Sequence, residues 1–171
     1  MAAPRVADSG ARRRLLGWLG LALAVAVADQ ISKAAALHLL ILHRPVPVVP
    51  TLDLMLTYNT GAAFSLLSDA GGWQRWLFIA LAVAVSAVLV RWLAALPAGE
   101  RWSAGALALV LGGAGGNLVD RVFRDGKVVD FIYFHVGDFH WPAFNLADSA
   151  IGVGAAVLVL HALFVPERAS P

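Results

Sequence analysis

The chain has 171 residues, of which 60% are hydrophobic and 14% charged, with a mean hydropathy of +0.75. A soluble domain carries about a quarter charged residues, so this composition excludes an ordinary water-soluble fold and requires a solvent that accepts apolar surface on all sides, the bilayer. The net charge of +2 and pI near 9.5 do not indicate a nucleic-acid partner, because the basic residues flank apolar runs instead of forming one patch, and the absence of cysteine removes thiol catalysis, disulfides and cysteine-rich metal sites.

Residues 1–13 carry no motif and read as a disordered cytoplasmic tail. Arg12, Arg13 and Arg14 then precede the apolar run Leu15 to Ala28, with small residues at Ala26 and Ala28, the layout of a cleavable secretory signal. Apolar sequence resumes beyond Lys33 and three further spans follow, so the run reads as a signal anchor that continues as the first helix, about residues 15–42, broken by Asp29, Gln30 and Lys33. Pro45, Pro47 and Pro50 interrupt what comes next. Residues 51–58 largely alternate, which predicts a strand with Leu52, Leu54, Leu56 and Tyr58 on one face.

The second and third spans are about residues 73–96 and 102–122. Lys127 to Phe134 is rich in β-formers, and Gly137-Asp138 predicts a turn into Phe139-His140-Trp141. The last span is about 144–165. A span needs about 20 residues, and backbone polar groups in lipid must be satisfied internally, so all four are expected to be helices. Arginines gather before the first helix, at Arg91 and Arg101, and at Arg168, which puts both termini in the cytoplasm and segments 43–72 and 123–143 outside. The expected fold is a single mainly α membrane domain, 1–171, with four transmembrane helices and a small extracytoplasmic β-sheet over their outer ends.

Charged groups inside a bilayer are expensive, so each needs a reason. At ~1.5 Å per helical residue, Asp29 lies roughly 22 Å above Arg14, and Asn117 and Asp120 lie roughly 24 and 28 Å above Arg101. Asp148 lies roughly 28 Å above Glu167. In a core about 30 Å thick these groups converge in the outer third, beneath the expected sheet. Asn117, Asp120 and Arg121 share one face of the third helix, and Asn145 and Asp148 one face of the fourth. Two uncompensated carboxylates at one apolar site cannot easily both ionise, so one can act as base on a water and the other as acid. Periodicity supports Asp148 but does not choose between Asp120 and Asp130 as its partner.

Each residue has a structural alternative. Asp29 and Lys33, at i, i+4, suit an internal ion pair, and Asp120 suits a pair with Arg121. Asp125 and Asp138 read as solvated turn residues, His135 and His140 as a strand pair, and His161 as a packed or snorkelling side chain. A proton-coupled transporter would also use membrane carboxylates, although its site would lie nearer the midplane and often within repeats, and none occur here. A structural protein with buried ion pairs explains the charges but not the paired Asn/Asp arrangement.

The ordered segments DQISK (29–33), YNTGAAFS (58–65), GNLVDR (116–121), VVDFI (128–132) and FNLADS (144–149) together resemble the lipoprotein signal peptidases, over roughly residues 14–165. The resemblance implies an aspartic endopeptidase of the bacterial inner membrane, with its active site near the periplasmic face. It would cleave diacylglyceryl-modified prolipoproteins just before the lipidated cysteine, with no metal or organic cofactor. It implies Asp130 and Asp148 as the catalytic pair, Asn59, Asn117, Arg121 and Asn145 as a polar shell for substrate and dyad, and Asp29 and Asp120 as structural positions. Gly115 departs from the larger residue common in that family. A complete site in one chain permits a monomer whose partners are its substrates and membrane lipids.

Overall fold

A computed structural model describes residues 9–61 and 72–164. The elements in chain order are α1 (Ser9–Leu39), β1 (Val46–Val49), β2 (Leu52–Asn59), α2 (Trp73–Ala95), α3 (Arg101–Phe123), β3 (Val128–Val136), β4 (Phe139–His140) and α4 (Leu146–Phe164). All four helices are long and apolar enough to cross a membrane. The expected tail at 1–8, the Ala62–Ser65 half of the second motif and Arg168 lie outside the described residues.

The central helix is α3. Half of its spanning window is buried, against 11–17% for the other three, which show apolar surface outward as a lipid-facing helix does. Close approach to α3 depends on absent side chains. A Cβ on Gly112 would sit 2.5 Å from the Ala22 carbonyl oxygen of α1, and one on Gly116 2.5 Å from Asp29 Oδ2. At the end away from the sheet, Leu89, Leu93, Ala104 and Leu107 form an apolar core with Trp18 and Leu158 against it.

The two connections expected outside meet in one antiparallel sheet of order β1-β2-β3-β4. Thr57 faces Asp130 and Asn59 faces Val128 across the β2–β3 ladder, while His135 pairs with His140 across the hairpin. A register shift between Leu54 and Thr57 breaks the alternation expected of β2: Leu56 is 5% exposed but Tyr58 42%, so the four residues do not share a face.

Helix boundaries also differ from expectation. α1 begins at Ser9, so residues 9–13 belong to the helix and not to a disordered tail; Ala11, Arg12 and Arg13 favour helix, and no proline interrupts it. It stops at Leu39 instead of residue 42, because Leu42 bridges to Leu56 and His43 takes a positive φ of 58°. α4 starts two residues late because Phe144 bridges to Ile132 of β3. Trp73, Trp76, Trp92, Trp102 and Trp141 are all exposed, as interfacial residues should be.

Candidate active site

Where α1, α3 and α4 meet beneath the sheet, a charged cluster is closed off from solvent. Lys33, Asp29 and Asp120 each have 0% exposure. The Lys33 ammonium donates to Asp29 Oδ2 at 2.8 Å, Asp120 Oδ2 at 2.9 Å and Asn117 Oδ1 at 2.9 Å, which uses all three of its N–H groups. Gln30 Nε2 donates to Asp120 Oδ1 at 2.9 Å, and Arg124, one turn on, pairs with the same oxygen. Asp120 therefore pairs with Lys33 and Arg124 rather than with adjacent Arg121. Neighbours in a helix point about 100° apart, whereas residues four apart share a face.

Both carboxylates also hold backbone of other elements. Asp29 Oδ1 accepts the Ala147 N–H of α4 at 2.9 Å, and Asp120 Oδ2 accepts the Val129 N–H of β3 at 3.1 Å. Those donors immediately precede Asp148 and Asp130.

Asn145 caps α4. Its Oδ1 accepts the Asp148 N–H at 2.9 Å, and its own N–H donates to Asp148 Oδ2 at 3.2 Å, a reciprocal capping box that fixes the Asp148 carboxylate in the first turn. The Asn145 Nδ2 group donates to Asp130 Oδ1 at 2.7 Å and to Val129 O at 3.2 Å. One asparagine thus bridges both aspartates. Asn117 Nδ2 donates to the other Asp148 oxygen, Oδ1, at 2.8 Å, and Asn59 on β2 hydrogen-bonds Asp130.

Asp130, Asp148, Asn59, Asn117 and Arg121 line a cleft of about 640 Å³, with Trp141 and Phe144 at its apolar wall. Asp130 is 2% exposed. Burial, and then the charge of Asp148, push its carboxyl up to about 7, against the pull of the Asn145 amide, the Lys33 charge and the Asn59 amide. Arg121 donates Nη2 to Gly61 O at 3.2 Å and lies over the Phe78 ring at 5.2 Å; its buried Nε has no partner among the described residues. A second cavity of about 370 Å³ lies at the other end, beside Arg14, Trp18 and Arg101. Its one acid, Glu100, is engaged by Ser103 at 3.1 Å and faces His161 at 3.6 Å.

The structure therefore brings Asn59, Asn117, Arg121, Asp130 and Asp148 to one cleft, with Asn145 buried behind the two aspartates and Asn117 also touching the charged cluster of Asp29 and Asp120. It also separates the two aspartates that periodicity left open. Asp120 is saturated by cations and donors outside the cleft, while Asp130 lines the cleft with asparagine partners. Asp125 is a turn residue with its side chain 91% exposed, 3.4 Å from Arg75. Lys33, Gln30 and Arg124 were not expected at the site. The i, i+4 spacings of Asp29 with Lys33 and of Asp120 with Arg124 were visible, but only the packed helices show that one lysine serves both acids.

Four spanning helices, a sheet closing one end and a polar centre buried beneath it define a multi-pass membrane protein. The family model described as signal peptidase (SPase) II matches residues 21–164. A lipoprotein signal peptidase of Teredinibacter turnerae is 54% identical over 149 residues, covering 87% of this chain and 88% of that protein. One from Pseudomonas paraeruginosa is 56% identical over 147 residues, covering 85% and 86%. A bacterial membrane enzyme solved by the in meso method at 2.3 Å superposes with a TM-score of 0.78 and 26% identity, over 91% of this chain and 94% of that one. This chain belongs to the signal peptidase II family, and is a peptidase by that membership.

Proposed function

We propose that this protein is an aspartic endopeptidase that removes signal peptides from diacylglyceryl-modified prolipoproteins, cleaving just before the lipidated cysteine. The observation that carries the reading is the bridging of Asp130 and Asp148 by one asparagine, at the wall of a cleft between spanning helices. The substrate enters laterally, its acyl chains remaining in the bilayer. Asp148, both of whose oxygens accept N–H bonds, is the ionised member; Asp130, at about 7, holds the shared proton.

Asp148 takes a proton from a water as the water oxygen bonds to the scissile carbonyl carbon, and Asp130 gives its proton to the carbonyl oxygen. Collapse of the tetrahedral intermediate breaks the C–N bond. Asp148 passes the proton it took from the water to the amine of the lipidated cysteine, Asp130 takes one back from a hydroxyl of the intermediate, and the signal peptide leaves with a new carboxyl group. Arg121 and Asn59, both on the cleft wall, supply donors for substrate carbonyls. The sheet limits access of bulk water. No metal or organic cofactor takes part, and one chain suffices. The arginine distribution supports cytoplasmic termini in the inner membrane and a site near the periplasmic face.

The test is cleavage of a diacylglyceryl-modified prolipoprotein by purified wild type and by Asp130→Asn, Asp148→Asn and Asp120→Asn. Both dyad variants are expected to be folded and inactive, while Asp120→Asn retains measurable cleavage. Normal cleavage by Asp130→Asn would make Asp120 the candidate partner, and no cleavage by wild type would overturn the proposed substrate.

A further inference from the structure

Lys33 stands outside the cleft, yet three short routes lead from it to the two aspartates. Through Asp29 it reaches the Ala147 N–H, one residue before Asp148. Through Asp120 it reaches the Val129 N–H, one residue before Asp130. Through Asn117 it reaches the Asp148 carboxylate itself.

The third route carries directional information. An ammonium is a donor only, so the Asn117 atom facing it must be the carbonyl oxygen. That leaves the NH2 group to face Asp148 Oδ1, where it donates. Turning the amide over would set its NH2 against the ammonium and its oxygen against a carboxylate, two repulsive contacts in place of two attractive ones. The same Asn117 oxygen lies 3.2 Å from Asn145 Nδ2 and shares one of its two N–H groups with Val129 O, so its orientation reaches Asp130 through the bridging asparagine. Full burial of Lys33, Asp29 and Asp120 keeps water from offering alternative partners.

We propose that Lys33 is a positioning residue for peptide hydrolysis, which fixes the Asn117 amide and, through Asp29 and Asp120, both backbone segments that carry the dyad. The inference rests on the reading of Asp130 and Asp148 as the catalytic pair. Its rival is that Lys33 only neutralises buried charge: with Asp29, Asp120 and Arg124 it forms a set of two anions and two cations.

The two roles separate in a pair of variants assayed on a diacylglyceryl-modified prolipoprotein in detergent. Lys33→Met leaves an uncompensated buried anion. The double variant Lys33→Met with Asp29→Asn restores neutrality, and the new amide oxygen can still accept the Ala147 N–H. The expected result is that the double variant regains the wild-type melting temperature, keeps KM within about threefold, and has kcat reduced on the order of 100-fold, the cost of a misplaced catalytic group. Recovery of wild-type kcat by the double variant, or its retention in Lys33→Met, would overturn the proposal and leave Lys33 as a counter-ion. Lys33→Arg keeps the charge but not the three-way geometry; it is expected to fold with lowered kcat, and full activity there would count against positioning equally. Asp130→Asn and Asp148→Asn run in parallel: activity in either removes the dyad reading itself, whatever the lysine variants do.

Discussion

Replacing Asn145 by serine and by alanine separates its service to the helix from its service to the dyad. Its Oδ1 caps α4 and its Nδ2 holds Asp130, 2.7 Å away. Serine is as good an N-cap as asparagine, whereas alanine costs about 1 kcal/mol, or roughly 2–4 °C in melting temperature for a chain of this size. Neither can donate an NH2 to Asp130. A hydrogen bond to a charged group contributes about 1.5–3 kcal/mol. Asp130 becomes charged as it gives up its proton, so the bond strengthens by about 1–1.5 kcal/mol between free enzyme and transition state, and its loss lowers kcat/KM by roughly 5- to 13-fold. Asn145→Ser should therefore melt near wild type and cleave slowly, and Asn145→Ala should cleave as slowly and melt lower. Because the amide also pulls the Asp130 carboxyl down, both variants should retain activity to higher pH than wild type on the alkaline limb. The assay is cleavage of a diacylglyceryl-modified prolipoprotein across pH, beside thermal unfolding in the same detergent. Wild-type kcat/KM in Asn145→Ser would refute the reasoning, since the bridging amide would then do nothing for the reaction.

The Asp130 carboxyl lies at about 7, so kcat/KM is expected to fall as pH rises through about 7, when its proton is lost; a profile flat from pH 6 to 9 would oppose that role. The linked stability has a definite sign. The folded value is raised above the unfolded value of about 3.9, so the contribution is fully present below pH 4 and is lost as pH rises to about 7, on the order of a few kcal/mol in all; Asp130→Asn should remove that slope in pH-dependent unfolding. Two adjacent glycines should respond with opposite signs. Gly116→Ala sets a Cβ 2.5 Å from Asp29 Oδ2, an atom held by Lys33, and should cost about 1–3 kcal/mol together with activity. Gly115→Ala meets nothing nearer than Ala26 Cβ at 3.9 Å and should gain up to about 1 kcal/mol in helix propensity, both changes read by thermal unfolding.

What could be read from the sequence follows the reach of each physical rule. The four spans were legible because the bilayer sets a length of about 20 apolar residues, and three of the four expected spans match helices to within two residues at each described end. The convergence of Asp29, Asn117, Asp120 and Asp148 followed from helical rise alone, because arginine flanks gave a common zero of height. Boundaries failed where tertiary contacts competed with hydropathy. Leu40–Leu42 is as apolar as the helix before it, yet Leu42 is drawn into a bridge with Leu56. Phe144 looks like the start of a helix, yet it closes the sheet against Ile132, which makes Asn145 the cap. The strand alternation of β2 failed at a bulge that no composition rule marks.

The choice between Asp120 and Asp130 shows what kind of information a single sequence lacks. Both are aspartates near the outer end of α3, and a carboxylate on a spanning helix has the stronger claim to function by cost alone. Cost, however, measures how much compensation a charge needs, not what it does. Asp120 is compensated by Lys33, Arg124, Gln30 and the Val129 N–H, which together leave its oxygens no access to the cleft. Asp130 keeps two asparagine partners and a place on the cleft wall, and its proton affinity is raised because burial and Asp148 act on it without a hydrogen-bonded cation to offset them. The compensated charge suits a structural role, and the one with a raised proton affinity in a cleft suits the proton transfer proposed for it. That distinction depends on which side chains meet across three helices and a sheet. Lys33, one turn from Asp29 in the sequence and bonded to Asp120 of another helix, is where the two kinds of carboxylate are joined.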